Sequence, residues 1–182
     1  MTKDTLSTTY IIAAYEIASN NDKSSFFSKL TNLLERSPNI FTTNSDLIRA
    51  SLQINKNILD TPFANDALIF SLATNLGTII KQQPDLVDDD LIERLAVFDC
   101  TYDLTKYKYE VYSNAIIRLD REPQLKFDQV KKDFAMDSTG FLSRRNNRIS
   151  QYEKETSNAC ALFPKATLKT VSHALDNLSL AS

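Results

Sequence analysis

Apolar residues recur every three or four positions along most of this chain, the spacing that places them on one face of an α-helix. The longest strongly apolar segment with this rhythm is 62–81. At about 100° per residue, its apolar side chains cover an arc of roughly 200°. They are Leu68, Ile69, Phe70, Leu72, Ala73, Leu76, Gly77, Ile79 and Ile80. A surface helix has a narrower stripe, so the pattern predicts a central helix with neighbours on two or three sides.

The ends of this central helix can be predicted as well. Thr61 suits the N-cap, and Pro62 suits the first helical position, where its missing N–H needs no partner. Pro84 predicts the end of the helix. Gly77 lies on the apolar arc, where the lack of a side chain lets another helix approach. The polar remainder of the helix is Ser71, Thr74, Asn75, Thr78 and Lys81.

Eight further segments carry a helical pattern. They are 7–20, 22–36, 43–59, 85–100, 105–119, 124–136, 141–156 and the segment that begins at Pro164. Asp22 is a predicted N-cap, and Thr43 to Asp46 has the outline of a capping box. The most linker-like stretch, 120–124, is the candidate sub-boundary within a single all-α domain of residues 1–182.

The predicted fold is therefore all-α, with eight to nine helices in antiparallel hairpins. Only two glycines and five prolines occur in 182 residues, which favours long helices joined by short loops. The helix pairs recur at roughly 35–40 residues, a spacing compatible with a short α-solenoid. No residue signature repeats from pair to pair, so an irregular helical bundle is an equally good prediction.

Composition and charge exclude several classes of protein. With 42% hydrophobic and 24% charged residues, the chain is too apolar for disorder. The net charge of −2 provides no overall attraction to nucleic acid. Residues 1–100 carry 8 basic against 13 acidic side chains, whereas residues 101–182 carry 13 against 10. A polyanion site is therefore expected in the C-terminal half, if anywhere.

The expected location is the cytoplasm. Cys100 and Cys160 are too few for a disulfide framework and suit a reducing compartment. The first residues lack the basic start and long apolar run of a signal peptide. No segment reaches the roughly 18 apolar residues of a membrane span.

No constellation predicts an enzyme, a cofactor or a metal site. Asp88, Asp89, Asp90 and Glu93 form a D-D-x-x-E pattern that resembles the Mg²⁺-diphosphate motif of all-α isoprenoid enzymes. The resemblance covers these residues alone, and acids at a helix N-terminus are the simpler interpretation. His173 is the only histidine, which leaves a zinc site or a Ser-His-Asp triad without partners.

Four tyrosines lie among lysines in 102–112 and would be able to stack on bases. The favoured alternative is core packing, with Tyr109 and Tyr112 on the inward face of their helix together with Ile116 and Leu119.

The most suggestive stretch is 129–152, which has the outline of a helix-turn-helix. A turn at 137–140 precedes a helix rich in arginine and asparagine, the residue types that contact phosphates and base edges. The candidate contacts to nucleic acid or a partner are Lys131, Lys132, Arg144, Arg145, Asn146, Asn147, Arg148 and Tyr152. One feature departs from the motif, because arginine occupies the second apolar position of the recognition helix.

Two functions follow as hypotheses. The first is a non-enzymatic helical scaffold for protein–protein interaction or assembly, self-association included, with contact surfaces near 102–112 and 141–152. The alternative is a nucleic-acid-binding protein that uses the region 131–148. It would be a helix-turn-helix-like regulator or a helical coat or nucleocapsid subunit.

Overall fold

The computed structural model describes residues 5–61, 66–101 and 106–181, and no strand occurs among them. The all-α prediction is confirmed. The ten α-helices of the described residues are α1 (Thr8–Ile17), α2 (Asn20–Arg36), α3 (Ile40–Thr43), α4 (Ser45–Asp60), α5 (Asp66–Gln82), α6 (Asp89–Thr101), α7 (Lys106–Asn114), α8 (Arg121–Met136), α9 (Thr139–Leu162) and α10 (Leu168–Ala181). Two short 3-10 helices, Pro84–Leu86 and Ile116–Arg118, precede α6 and α8.

The predicted central helix is confirmed as α5, which packs against α2 and α7. Leu68, Leu72, Leu76 and Ile80 are all at most 2% exposed. The predicted start at Pro62 lies outside the described residues, as does the predicted start of the helix at 105. Thr61 itself follows the end of α4, where its hydroxyl donates to the carbonyl of Asn57 at 2.9 Å.

Three side chains of α5 lie on the opposite side from the prediction. Phe70 was assigned to the apolar arc but is 53% exposed, whereas Asn75 and Thr78 are buried. Asn75 is accommodated inside because it bonds to side chains of α2 and α4. Its Oδ1 accepts from Ser51 at 2.9 Å and from Asn55 at 3.1 Å, and its Nδ2 donates to Thr31 at 3.1 Å.

Gly77 confirms the predicted close approach of another helix. A Cβ built on Gly77 would lie only 1.8 Å from the carbonyl oxygen of Asn114, at the end of α7. This backbone contact allows no side chain at position 77 while α7 keeps its place.

Two predicted caps are wrong. The cap of α2 is Ser19, whose hydroxyl accepts from the N–H of Asp22 at 3.2 Å, so Asp22 lies inside the first turn. The cap of α4 is Asn44, which makes no side-chain capping bond. In place of a capping box, the hydroxyl of Thr43 donates to Asn39 and the carboxylate of Asp46 accepts from Thr8.

Helices distant in sequence form most of the packing, which makes the fold an irregular bundle. α9 packs on α1 and α10 packs on α2, so the end of the chain returns to its beginning. α6 packs on α8, and α4 lies between α1 and α6. In a solenoid each repeat contacts only its neighbours, and this arrangement does not follow that rule.

The C-terminal helices begin and end at positions other than those predicted. Residues 121–124 are the first turn of α8 rather than a linker, and Pro123 fits there because the first N–H groups of a helix need no helical partner. α9 extends to Leu162, and α10 begins at Leu168 instead of Pro164. In the described ranges, no helix combines the length and the apolar character that crossing a membrane requires.

Candidate functional site

The predicted helix-turn-helix segment forms the corner between α8 and α9. The Asp137 carboxylate accepts from the N–H of Thr139 at 3.0 Å, and burial is too slight to oppose the resulting fall in its pKa. The rings of Phe134 and Phe141 pack across the corner with centroids 5.8 Å apart. Beyond this contact, α8 packs mainly on α6, and α9 packs on α1, α4 and α6. The two helices thus turn away from each other, whereas those of a helix-turn-helix pack together.

Arg148 is bound by two carboxylates from other helices. Its Nε and Nη2 donate to the two oxygens of Asp60 at 3.0 and 2.9 Å, and its Nη1 donates to Glu93 at 2.8 Å. The side chains of Arg148 and Asp60 are only 13% and 2% exposed. Burial lowers the pKa of Arg148, but the bonds and charges of Asp60 and Glu93 outweigh it and raise the pKa above its usual value. The guanidinium of Arg148 is therefore already paired with carboxylates of the same chain.

Arg144 is bound in the same way, although it is more exposed. Its Nε donates to Glu93 at 3.0 Å, and its guanidinium carbon lies 4.9 Å from the centre of the Phe141 ring. Glu93 therefore pairs with Arg144 and Arg148, which are about one helical turn apart on α9.

The pairs continue into a connected group that we call the ionic network. Arg94 donates to Asp60 at 2.9 Å and to Asp90 at 3.1 Å, and Lys56 lies 3.2 Å from Asp90. The members of the network are Lys56, Asp60, Asp88, Asp90, Glu93, Arg94, Arg144 and Arg148. Four acids and four bases cancel, so the network carries no formal net charge and joins α4, α6 and α9.

Arg145 differs from its two neighbours. It is half-buried, and its Nη1 is enclosed with no hydrogen-bond partner. Within the described part of the chain it forms neither an ion pair nor a hydrogen bond. Asn146 and Asn147 beside it are exposed. Arg145 is therefore the arginine of this cluster that no acidic side chain of the described residues pairs with.

The two lysines predicted as contacts, Lys131 and Lys132, have different surroundings. Lys131 lies 2.6 Å from the buried carboxylate of Asp99, and this bond raises the pKa of Lys131 against the opposing effect of burial. Lys132 is exposed. Lys131 thus joins α8 to α6, and Lys132 faces solvent.

Tyr152 lies in the wall of two clefts. A cleft of about 490 Å³ on one side contains Lys56, Arg94 and Arg148. The cleft on the other side, of about 560 Å³, contains Glu16 and Glu153. Burial, followed by the charge of Glu16, raises the pKa of Tyr152 far above its usual value, so the phenol is neutral.

The acidic motif of α6 has basic partners. The Asp88 carboxylate accepts from the N–H of Leu91 at 2.8 Å, as a capping residue does, and Asp89 pairs with Lys126 at 3.2 Å. Among the described residues, no three histidine, cysteine or acidic side chains are grouped as metal ligands. His173 is exposed on α10.

Four large apolar side chains are exposed on α5, α7 and the second 3-10 helix, and the sequence pattern assigned three of them, Phe70, Tyr109 and Tyr112, to the core. Phe70 and Tyr112 are 53% and 47% exposed, and Tyr109 and Ile117 are 74% and 64% exposed. The tyrosine prediction was wrong for a physical reason: Val111, Ala115 and Ile116 are buried, and they use the inward face of this segment. Tyr102 and the side chain of Tyr107 lie outside the description. We call Phe70, Tyr109, Tyr112 and Ile117 the aromatic surface.

Comparison with protein-family models, curated proteins and solved structures found no match to this chain. Function is therefore inferred from the geometry alone.

Proposed function

We propose that the protein is a non-enzymatic helical module for protein–protein interaction, with self-association as the first case to test. The observation that carries this proposal is the aromatic surface. Its four large apolar side chains are each about half exposed or more, on elements that pack against one another.

The position of Phe70 supports a shared surface. Phe70 precedes Gly77 by seven residues, about two turns, so both lie on the same side of α5. Gly77 faces the end of α7. Phe70 thus lies two turns before the point where the end of α7 meets α5, in a cleft that it shares with Thr31 and Asn32 of α2, and Tyr109 and Tyr112 extend from α7 itself.

The chemistry of these residues suits a protein partner. Tyrosine and phenylalanine are enriched at interfaces, and a few such residues supply most of the binding free energy. A tyrosine buries a large ring at low entropic cost and keeps a hydroxyl for a hydrogen bond. An exposed group of this kind on a folded surface is typical of an interaction site.

The test is light scattering after size exclusion, over a range of protein concentrations. We expect the mass of the wild-type protein to rise with concentration, and the double variant Tyr109→Ser/Ile117→Ser to remain a monomer. Leu162→Ser is the matched control, because Leu162 is 69% exposed on α9, away from this surface. The proposal fails if the wild type stays monomeric and also binds no partner protein whose binding is lost in the double variant. It also fails if Leu162→Ser has the same effect as the double variant.

Arg145 supports a second candidate, the nucleic-acid-binding function, since it is half-buried without an anionic partner. Fluorescence anisotropy with mixed-sequence DNA and RNA would test it at low and physiological salt. We expect binding to weaken with salt and to be lost in Arg145→Met, but to be kept in the control Arg36→Met on α2. Binding that is insensitive to salt, or equal in the two variants, would exclude this candidate.

A further inference from the structure

The N-terminal half of α9, residues 139–151, is attached to the fold differently from the well-buried helices α2, α4 and α5. Every side chain from 139 to 151 is exposed or half-buried. The buried residues of α9 are Thr156 and Ala159, both in its C-terminal half. There, Thr156 and Cys160 share a cleft with Glu16 of α1. Helix α5, in contrast, is buried along most of its length.

Ion pairs, rather than buried apolar contacts, attach this segment to the fold. Arg148 binds Asp60, the last residue of α4, and Glu93 in α6. Arg144 adds a second bond to Glu93 at 2.9 Å. Two arginines one turn apart therefore fasten residues 139–151 to two other helices.

We propose that residues 139–151 form a strap, latched by Asp60 and Glu93, that opens as a unit while the rest of the bundle stays folded. Segments with few buried apolar contacts open at a lower free energy than the global unfolding of a protein. The contact between Phe134 and Phe141 couples the last turn of α8 to the strap. The residues 152–162 remain docked on α1 and serve as the fixed end.

Opening of the strap would expose the carboxylate of Asp60 and the guanidinium of Arg148 together. The closed latch hides the carboxylate of Asp60 and most of the guanidinium of Arg148. A phosphate or carboxylate ligand can reach Arg148 only when these bonds are broken. The latch therefore controls the access of an anion to Arg148.

Hydrogen exchange of the intact protein, followed by mass spectrometry at low urea concentrations, tests the proposal directly. We expect the amides of 143–151 to exchange at least about tenfold faster than those of α2 and α5, through an opening that urea hardly affects. Exchange of 143–151 at the same rate and with the same urea dependence as α2 and α5 would show that no separate unit exists.

A pair of variants on one helix identifies the latch. Glu93→Gln removes the charge that serves both arginines, and we expect it to speed exchange of 143–151 by about tenfold. Asp89→Asn is the control on the same helix as Glu93, because it removes an exposed ion pair between Asp89 and Lys126 of α8. We expect a change of less than about twofold for the control. Equal effects of the two variants would overturn the proposal.

A third variant keeps the test valid if single changes unfold the protein. The double variant Asp60→Leu/Arg148→Met exchanges the buried pair for apolar side chains, a replacement that proteins often tolerate. Added NaCl is expected to speed exchange of the strap in the wild type, and to do so less in this double variant. The same response to salt in both proteins would mean that these ion pairs are not the latch.

Discussion

Gly77 offers the sharpest test of the packing around α5. In an exposed helix, replacing glycine with alanine stabilises a protein by about 1 kcal/mol, because alanine restricts the unfolded chain and favours the helix. At Gly77 the new Cβ would lie 1.8 Å from the carbonyl oxygen of Asn114 and 2.9 Å from its carbonyl carbon. Both atoms belong to the backbone and cannot rotate away.

The size of the effect follows from this geometry. For an ordinary contact of 3.4 Å, the end of α7 would have to retreat by about 1.6 Å from α5. A shift of this size separates Val111 and Ala115 from the core, where both are at most 1% exposed. Overpacking of a well-packed core costs about 1–3 kcal/mol, and sometimes more. After subtraction of the gain in helix propensity, we expect Gly77→Ala to lower the free energy of unfolding by about 2 kcal/mol.

The second glycine of the chain is a natural control. A Cβ on Gly140, in the first turn of α9, would meet only the Nη1 of Arg144 at 3.4 Å, the end of a flexible side chain. Gly140→Ala should therefore raise the free energy of unfolding by up to about 1 kcal/mol. Urea unfolding followed by circular dichroism measures both variants. If Gly77→Ala is as stable as the wild type, or if the two variants change stability in the same direction, the close approach of α7 to α5 is refuted.

Three further predictions concern buried polar groups. Asn75→Ala removes three buried hydrogen bonds and should lower the free energy of unfolding, measured in urea, by about 3 kcal/mol or more. Burial opposes the low pKa of Asp90, but Arg94 and Lys56 hold it below 3.8. The stabilisation by Asp90 is therefore complete above about pH 4 and is lost below it, and the difference in urea midpoint between wild type and Asp90→Asn should shrink as the pH falls. Because the bond to Asp99 raises the pKa of Lys131 above 10.5, its stabilisation is lost only at higher pH. The midpoint of Lys131→Met should accordingly approach that of the wild type at high pH.

The sequence was sufficient for the longer helices because their periodicity is a local property, whereas the four-residue helix α3 was not predicted. The apolar rhythm of 62–81 marks α5 as the central helix, and Gly77 marks the side where α7 approaches. The same rhythm fails for Phe70 and Asn75, since it ranks side chains by hydrophobicity alone. Asn75 is buried because hydrogen-bond partners reach it from α2 and α4, and no pattern within one helix shows those partners.

The two cap predictions were wrong for a related reason. Ser19 and Asp22 are both good capping residues, three positions apart, and an acid is favourable in the first turn as well as at the cap. The local pattern cannot choose between them. At the start of α4, the carboxylate of Asp46 accepts from Thr8, 38 residues earlier in the chain, a partner that the local pattern does not show.

The arginine cluster shows how a linear cluster of charge differs from a charged surface. Three arginines within five residues suggest a site for phosphates, provided that no acid reaches them in the fold. Asp60 and Glu93, 88 and 55 residues distant from Arg148, do reach it. A guanidinium held by the buried carboxylate of Asp60 and the half-buried carboxylate of Glu93 must lose those bonds before it can bind a phosphate, and the acids left behind would repel that phosphate. Arg145 avoids this cost because no acidic side chain pairs with it in the fold. Any polyanion that binds this cluster while the strap is closed is therefore expected to depend first on Arg145. Its binding is expected to depend on Arg144 and Arg148 only after the strap opens.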